Sequence, residues 1–200
     1  DNVKDETFNW AEFQELGGTP ASMAAAKALD GTSCLPGYVA KGSDGIGAYT
    51  QAYLGAADPR GDVTSNGTQT WVHLPRNRWP ASWVGKYTNP VVPLVLALYG
   101  HPEAGGHWEA HCSKLLGPLG YNAIVGWNSV YWHQETRSLL VIYVDDFRLA
   151  APADKQDGLW AKLKEVIDLE AEQENGRFLG CDHVSFTATA NDVIEIDESS

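Results

Sequence analysis

Leu139-Leu140-Val141-Ile142-Tyr143-Val144-Asp145-Asp146-Phe147-Arg148-Leu149 is the stretch on which the fold turns. Leu139 to Val144 is the most apolar strand-like run of the chain, and two acids close it. Phe147–Ala150 then resumes the strand pattern, so the stretch predicts a β-hairpin whose turn holds two adjacent carboxylates. Adjacent carboxylates repel when ionised, and a divalent cation makes a confined pair tolerable. The plainer alternative is an Asp-rich turn, since Asp favours turns on its own account.

Working outward, three short β segments are expected at 121–127, 129–134 and 138–144. Glu103–Leu119 places Trp108, Cys112, Leu115, Leu116 and Leu119 on one side of a helix that Gly120 would end. Residues 155–169 read as a second amphipathic helix with Leu159, Leu163, Val166 and Ile167 inward. Residues 20–30 are rich in strong helix formers, with Thr19 as a cap and Gly31 as a stop. Residues 31–47 are rich in Gly and Ser, and 55–68 have a loop composition. Thr70–Leu74 alternates as a short strand, and the four prolines of 75–93 suit an extended surface segment. Arg177–Cys181 reads as a strand broken by Gly180. This order of helices and hairpins predicts an α+β fold, with a sheet packed against helices.

Composition narrows the class. The chain has 200 residues, 44% of them hydrophobic, enough for one sizeable core. Net charge is −12, the wrong sign for a nucleic-acid binder. The acidity is concentrated at the ends: five acids and one Lys fall in 1–15, and ten acids and one Arg in 165–200. The middle is close to neutral, and acidic ends serve solubility. The three cysteines form no Cys-x-x-Cys pair, so neither a zinc knuckle nor a disulfide framework is signalled. A reducing intracellular setting, cytoplasm or nucleus, fits this usage. No apolar run approaches the roughly 20 residues of a membrane span. The chain does not start with Met and is read as a piece of a longer protein.

Three further features matter together. Asp44-Gly45-Ile46-Gly47-Ala48-Tyr49 sets an aromatic five residues after an acid. Leu98-Tyr99-Gly100 is followed eight residues later by Trp108. Phe178-Leu179-Gly180 comes after the acidic hairpin. In this order the motifs resemble a copia-type retrotransposon reverse transcriptase of a divergent subgroup. Asp1–Glu6, Met23–Lys27, Pro90–Leu94 and Leu98–Pro102 are similar to the same subgroup, so the likeness runs over nearly the whole chain.

The resemblance implies a palm-like antiparallel sheet packed against helices, with partial fingers. It divides the chain into a fingers remnant or lead-in at 1–43, a palm at 44–184 and an acidic tail at 185–200, with no thumb or ribonuclease H. Asp44, Asp145 and Asp146 match the acids that hold two Mg²⁺ ions, with Mn²⁺ as a substitute, for templated DNA synthesis. Tyr49 matches the ring beneath the sugar of an incoming deoxynucleotide. Tyr99 and Gly100 match the lining of the templating pair. Tyr143 and Val144 are expected near the primer end, and Phe178, Leu179 and Gly180 along the primer. The implied partners are primer–template nucleic acid, a deoxynucleoside triphosphate, and the rest of a polyprotein or another assembly. The chain departs from the family where Pro102, Glu103 and Gly106 stand in place of a Lys, a Gln and an Arg.

Two rivals follow from the departures and the charge. One is a catalytically silent palm-like subunit of a larger assembly; the other is an acidic cation-binding module with no nucleic-acid role. Other patterns are set aside. His107-x-Glu109-x-His111 is not the His-Glu-x-x-His of metalloproteases. The tryptophans, Trp79 and Trp83 included, are read as packing residues rather than stacking platforms. No phosphate-cradling Gly-rich loop and no Gly-x-Ser-x-Gly elbow is present.

Overall fold

The computed structural model of the protein describes residues 22–54, 70–174 and 176–184. The expected cap Thr19, the loop 55–68, the motif Asp1–Glu6 and the acidic tail 185–200 lie outside these. The described elements are helix α1 (Met23–Ser33), strand β1 (Tyr38–Asp44), a short pair β2 (Trp71–His73) and β3 (Val91–Pro93), helix α2 (Ala104–Leu116), strands β4 (Tyr121–Ala123), β5 (Val130–His133), β6 (Ser138–Tyr143) and β7 (Asp146–Pro152), helix α3 (Gln156–Lys164), and short strands β8 (Gln173–Glu174), β9 (Arg177–Phe178) and β10 (Cys181–Asp182). The architecture is α+β, as expected. Its main sheet has six strands in the order β4-β5-β6-β7-β1-β8, and every pairing is antiparallel.

Alternation along β6 and β7 splits the core in two. Leu140, Ile142, Phe147, Leu149 and Ala151 point to one face, where they meet Trp108, Cys112 and Leu116 of α2 and Leu159, Trp160 and Leu163 of α3. Leu139, Val141 and Ala150 point to the other face, where they meet Ala25, Ala26 and Leu29 of α1 together with Phe178. Helices cover both faces, which is why β6 is apolar along nearly its whole length instead of alternating with polar residues. Small residues on α1 let its axis lie close to the sheet.

The sheet reaches α3 through a buried polar staple. Gln156, 1% exposed, donates to the carbonyls of Val39 at 2.8 Å and Leu149 at 3.1 Å, and its own oxygen accepts from Trp160 Nε1 at 2.9 Å. Every polar atom of that amide side chain is engaged with β1, β7 or α3, so its burial costs little.

Three differences from the expected elements are instructive. Residues 38–44, expected within a Gly- and Ser-rich stretch, form β1, an interior strand paired to β7 over seven residue pairs from Tyr38↔Pro152 to Asp44↔Asp146. Lys41, Gly42 and Ser43 have little strand propensity, and pairing on both sides overrides it. The boundary expected at 43/44 therefore falls inside a strand. The second amphipathic helix stops at Lys164 rather than 169, because 168–170 leaves the helix to bond along the end of β1: Ile46 N donates to Asp168 O at 2.8 Å, and Glu170 N to Asp44 O at 2.8 Å. Arg177–Cys181 is not one broken strand but a tight hairpin, with Leu179 (φ 49°) and Gly180 (φ 80°) both left-handed at its turn.

Phe147 is fully buried, and its ring stands edge-on to Trp108 with centroids 6.3 Å apart. Phe147→Ala is expected to cost about 3–5 kcal/mol of unfolding free energy, from lost burial plus a cavity, read as a lower urea midpoint at unchanged slope.

Candidate functional site

The β6–β7 turn consists of Val144 and Asp145, since Tyr143 pairs with Asp146 across it. Asp146 is therefore the first residue of β7 rather than part of the turn. Val144 sits at φ 57°, a left-handed conformation that is costly for a β-branched residue, of order 1–2 kcal/mol. A hydrogen bond offsets part of that cost: Trp108 Nε1 donates to the Val144 carbonyl at 2.6 Å. The Asp145 carbonyl accepts from Gly45 N. Helix α2 and the end of β1 thus hold the turn from two directions.

That second contact brings Asp44 in. Asp44 lies directly across from Asp146 in the β1–β7 ladder, so the two side chains leave the same face of the sheet. Separated by about a hundred positions in sequence, Asp44 and the Asp145–Asp146 pair meet at one end of the sheet. Gln51 clamps the loop after Asp44: its Nε2 donates to Ile46 O and Asp168 O, each at 3.0 Å, and its Oε1 accepts from Asp168 N at 2.9 Å.

The electrostatics single out Asp146. Burial pushes its carboxyl up to about 6, and Asp44 and Asp145 push the same way. Arg148 and His183 oppose the rise. Arg148 is itself buried, 7% exposed, and its Nη2 lies 3.0 Å from Asp146 Oδ1. That approach is close enough for an ion pair but is not aligned as a hydrogen bond, so Oδ1 remains a buried acceptor without a donor. The guanidinium instead donates to Arg177 O at 2.9 Å and stacks over the Phe178 ring at 5.2 Å. His183 binds both Asp30 oxygens through Nδ1, at 2.8 and 2.9 Å, and so ties this corner to α1.

Of the expected nucleotide residues, Tyr49 lies near Asp145 and its ring meets that of Tyr99. The Tyr49 and Tyr99 rings are 4.6 Å apart, tilted at 42°. Burial raises the Tyr49 hydroxyl, with Tyr99, Asp145 and Tyr143 adding to the effect, so all three are its neighbours. Backbone bonds from Leu54 N to Val95 O and from Ala97 N to Ala52 O, both 2.8 Å, lash the segment carrying Tyr99 to the one carrying Tyr49. Gly100 turns the chain there at φ 90°. Tyr99 and Tyr143 are exposed, whereas Tyr49 is half-buried. Of the expected primer residues, Phe178 is buried in the core against α1, Leu179 is half-buried, and Gly180 lies exposed at the hairpin tip.

Carboxylate oxygens are the donors a hard divalent cation prefers, and Asp146 Oδ1 is a buried one without a hydrogen-bond partner. Among the described residues, no group of three or more His, Cys, Asp or Glu is arranged to hold a metal ion. His107 and His111 make no such pair either; His107 lies 3.7 Å from Glu103, and His111 stacks on Trp108.

Three contributors escaped the sequence reading. The sequence presents Trp108 as a core residue and as the end of the Leu98-Tyr99-Gly100 motif, without its bond to the turn. Gly42 and Arg148 were not singled out, although an Arg two positions after an Asp in a strand shares its face, and that spacing was readable. Set against family models, curated proteins and solved structures, the chain matches none of them. Among the described residues, no helix is long and apolar enough to cross a membrane.

The raised Asp146 carboxyl has a sign. From its ordinary value of 3.8 to about 6, the folded chain keeps a proton that the unfolded chain has released. Stability from this group is therefore present below pH 4 and is lost as pH rises toward 6. In EDTA, Asp146→Asn should unfold at nearly the wild-type urea concentration at pH 4, and should gain on the order of 2 kcal/mol over wild type at pH 7.

Proposed function

We propose that the chain is the palm of a templated DNA polymerase of the reverse-transcriptase kind, with Asp44, Asp145 and Asp146 as its Mg²⁺-holding acids. The observation that carries this reading is the register of β1 against β7, which sets Asp44 opposite Asp146 and beside the Val144–Asp145 turn. The order of motifs along the sequence predicts that meeting, and an Asp-rich turn on its own does not require it.

The residues have separate tasks. Asp44 and Asp145 present carboxylates at the end of the sheet. Tyr49, stacked against Tyr99 and next to Asp145, offers a flat apolar floor on which a deoxyribose would rest without room for a 2′-hydroxyl. Trp108 fixes the turn through the Val144 carbonyl, so the carboxylates keep their direction when a charged substrate arrives. Tyr143 leaves the same face as Asp146 and is exposed, a position from which it would touch a primer terminus. Bound Mg²⁺ would acidify the primer 3′-hydroxyl and neutralise the leaving pyrophosphate.

One observation favours the second reading, a palm-like subunit that binds but does not catalyse. Glu103 stands immediately before α2, where the family carries positive charge at neighbouring positions, and its Oε2 is buried without a hydrogen-bond partner. An acid there opposes a triphosphate.

Primer extension on an RNA template separates the two. The chain, joined to fingers and thumb segments of a related polymerase, should incorporate deoxynucleotides with Mg²⁺ or Mn²⁺. Asp44→Asn or Asp145→Asn should lower incorporation about a hundred-fold or more, and Tyr49→Ala should admit ribonucleotides. Duplex binding without incorporation by any form would leave the silent subunit as the better reading.

A further inference from the structure

Arg148 is an anomaly of charge. Its neighbours along β7, Phe147 before it and Leu149, Ala150 and Ala151 after it, are all fully buried, yet it carries a guanidinium that is itself buried. Burying such a charge is expensive unless it is paired. The fold makes room for it deliberately. Arg148 faces Gly42 across the β1–β7 ladder, and a Cβ on residue 42 would fall 1.5 Å from Arg148 Nη1. A glycine in an interior strand sacrifices packing and stiffness, and here the vacated space is the seat of the guanidinium. Its other restraints are the Arg177 carbonyl and the Phe178 ring. The planar group is held with its Nη2 toward Asp146 Oδ1.

We propose that Arg148 is a built-in counter-cation: it occupies the positive-charge position beside Asp146 and competes with a divalent ion for that carboxylate. Resting on the polymerase reading of the same cluster, it makes Arg148 the residue that sets how tightly the site takes a metal. Asp44 and Asp145 are left as the carboxylates open to an incoming ion. Asp146 contributes only when the guanidinium gives way. Arg148 is thus a positioning residue, acting through Asp146 rather than on a substrate.

The test is Mn²⁺ binding by the 200-residue chain, read from the loss of the free Mn²⁺ electron paramagnetic resonance signal and needing no catalysis. Arg148→Gln should tighten Mn²⁺ binding about tenfold, the scale of removing one nearby competing charge. Gly42→Ala keeps every charge but denies the guanidinium its seat, and should shift affinity in the same direction. The neutral double variant Asp146→Asn with Arg148→Gln should bind within about twofold of wild type, because it removes the carboxylate and its competitor together. It also decides the matter if Arg148→Gln alone does not fold. Unchanged affinity in Arg148→Gln and Gly42→Ala, or a tenfold loss in the double variant, would overturn the proposal while leaving the cation site standing. Wild type binding Mn²⁺ no better than Asp44→Asn and Asp145→Asn would remove the cation site, and this inference with it.

Discussion

The pairing of β1 with β7 is the constraint on which the rest depends. Without that ladder, Asp44 is an acid in a glycine-rich stretch. With it, Asp44 faces Asp146, Gly42 faces Arg148, and Ser43 anchors the 168–170 segment by donating to Glu170 O at 2.9 Å. The register admits no slippage. A shift of one residue would send Asp44 to the face that carries Phe147 and Trp108, and would bring Ser43 to the face that carries Asp146 and Arg148. The two hydrophobic layers therefore enforce the geometry of the carboxylates, although no apolar side chain needs to touch them.

Three acids brought to one place are unfavourable, and the surroundings show how the fold tolerates them. Asp145 stands at an exposed turn, where water screens it. Asp146 is more enclosed, and its raised carboxyl reflects that enclosure together with two like charges. Arg148 returns one positive charge to the corner. The left-handed Val144 is a further local expense, met by the Trp108 indole. Strain and charge repulsion concentrate within a few residues, and well-packed helices on both faces keep them there.

Much of this was legible in the sequence. The apolar run Leu139–Val144, the helical spacing of Trp108, Cys112 and Leu116, and the Gly120 stop all have local causes, and each element appears within a few residues of its expected place. The approach of Asp44 to the Asp145–Asp146 hairpin was legible through motif order, whereas the contact of the Tyr49 and Tyr99 rings was not. What escaped was non-local. β1 is a strand because β7 and β8 flank it, and nothing in Lys41-Gly42-Ser43 announces that. Helix α3 ends early because 168–170 is claimed by the end of β1, not because Glu165 or Val166 resists helix. The hold of Trp108 on the turn needs both partners in view: an indole reads as core until the carbonyl it meets is known.

Gly42 and Arg148 carry a consequence for how the sequence can drift. They are 106 positions apart, but the side chain of one fills the space left by the other. Neither position is free to vary alone: a larger residue at 42 evicts the guanidinium, and a short residue at 148 opens a hole over a glycine. Packing couples the two positions, so change at this corner is expected to be paired. Relatives with an aliphatic residue at 148 should have regained a side chain at 42.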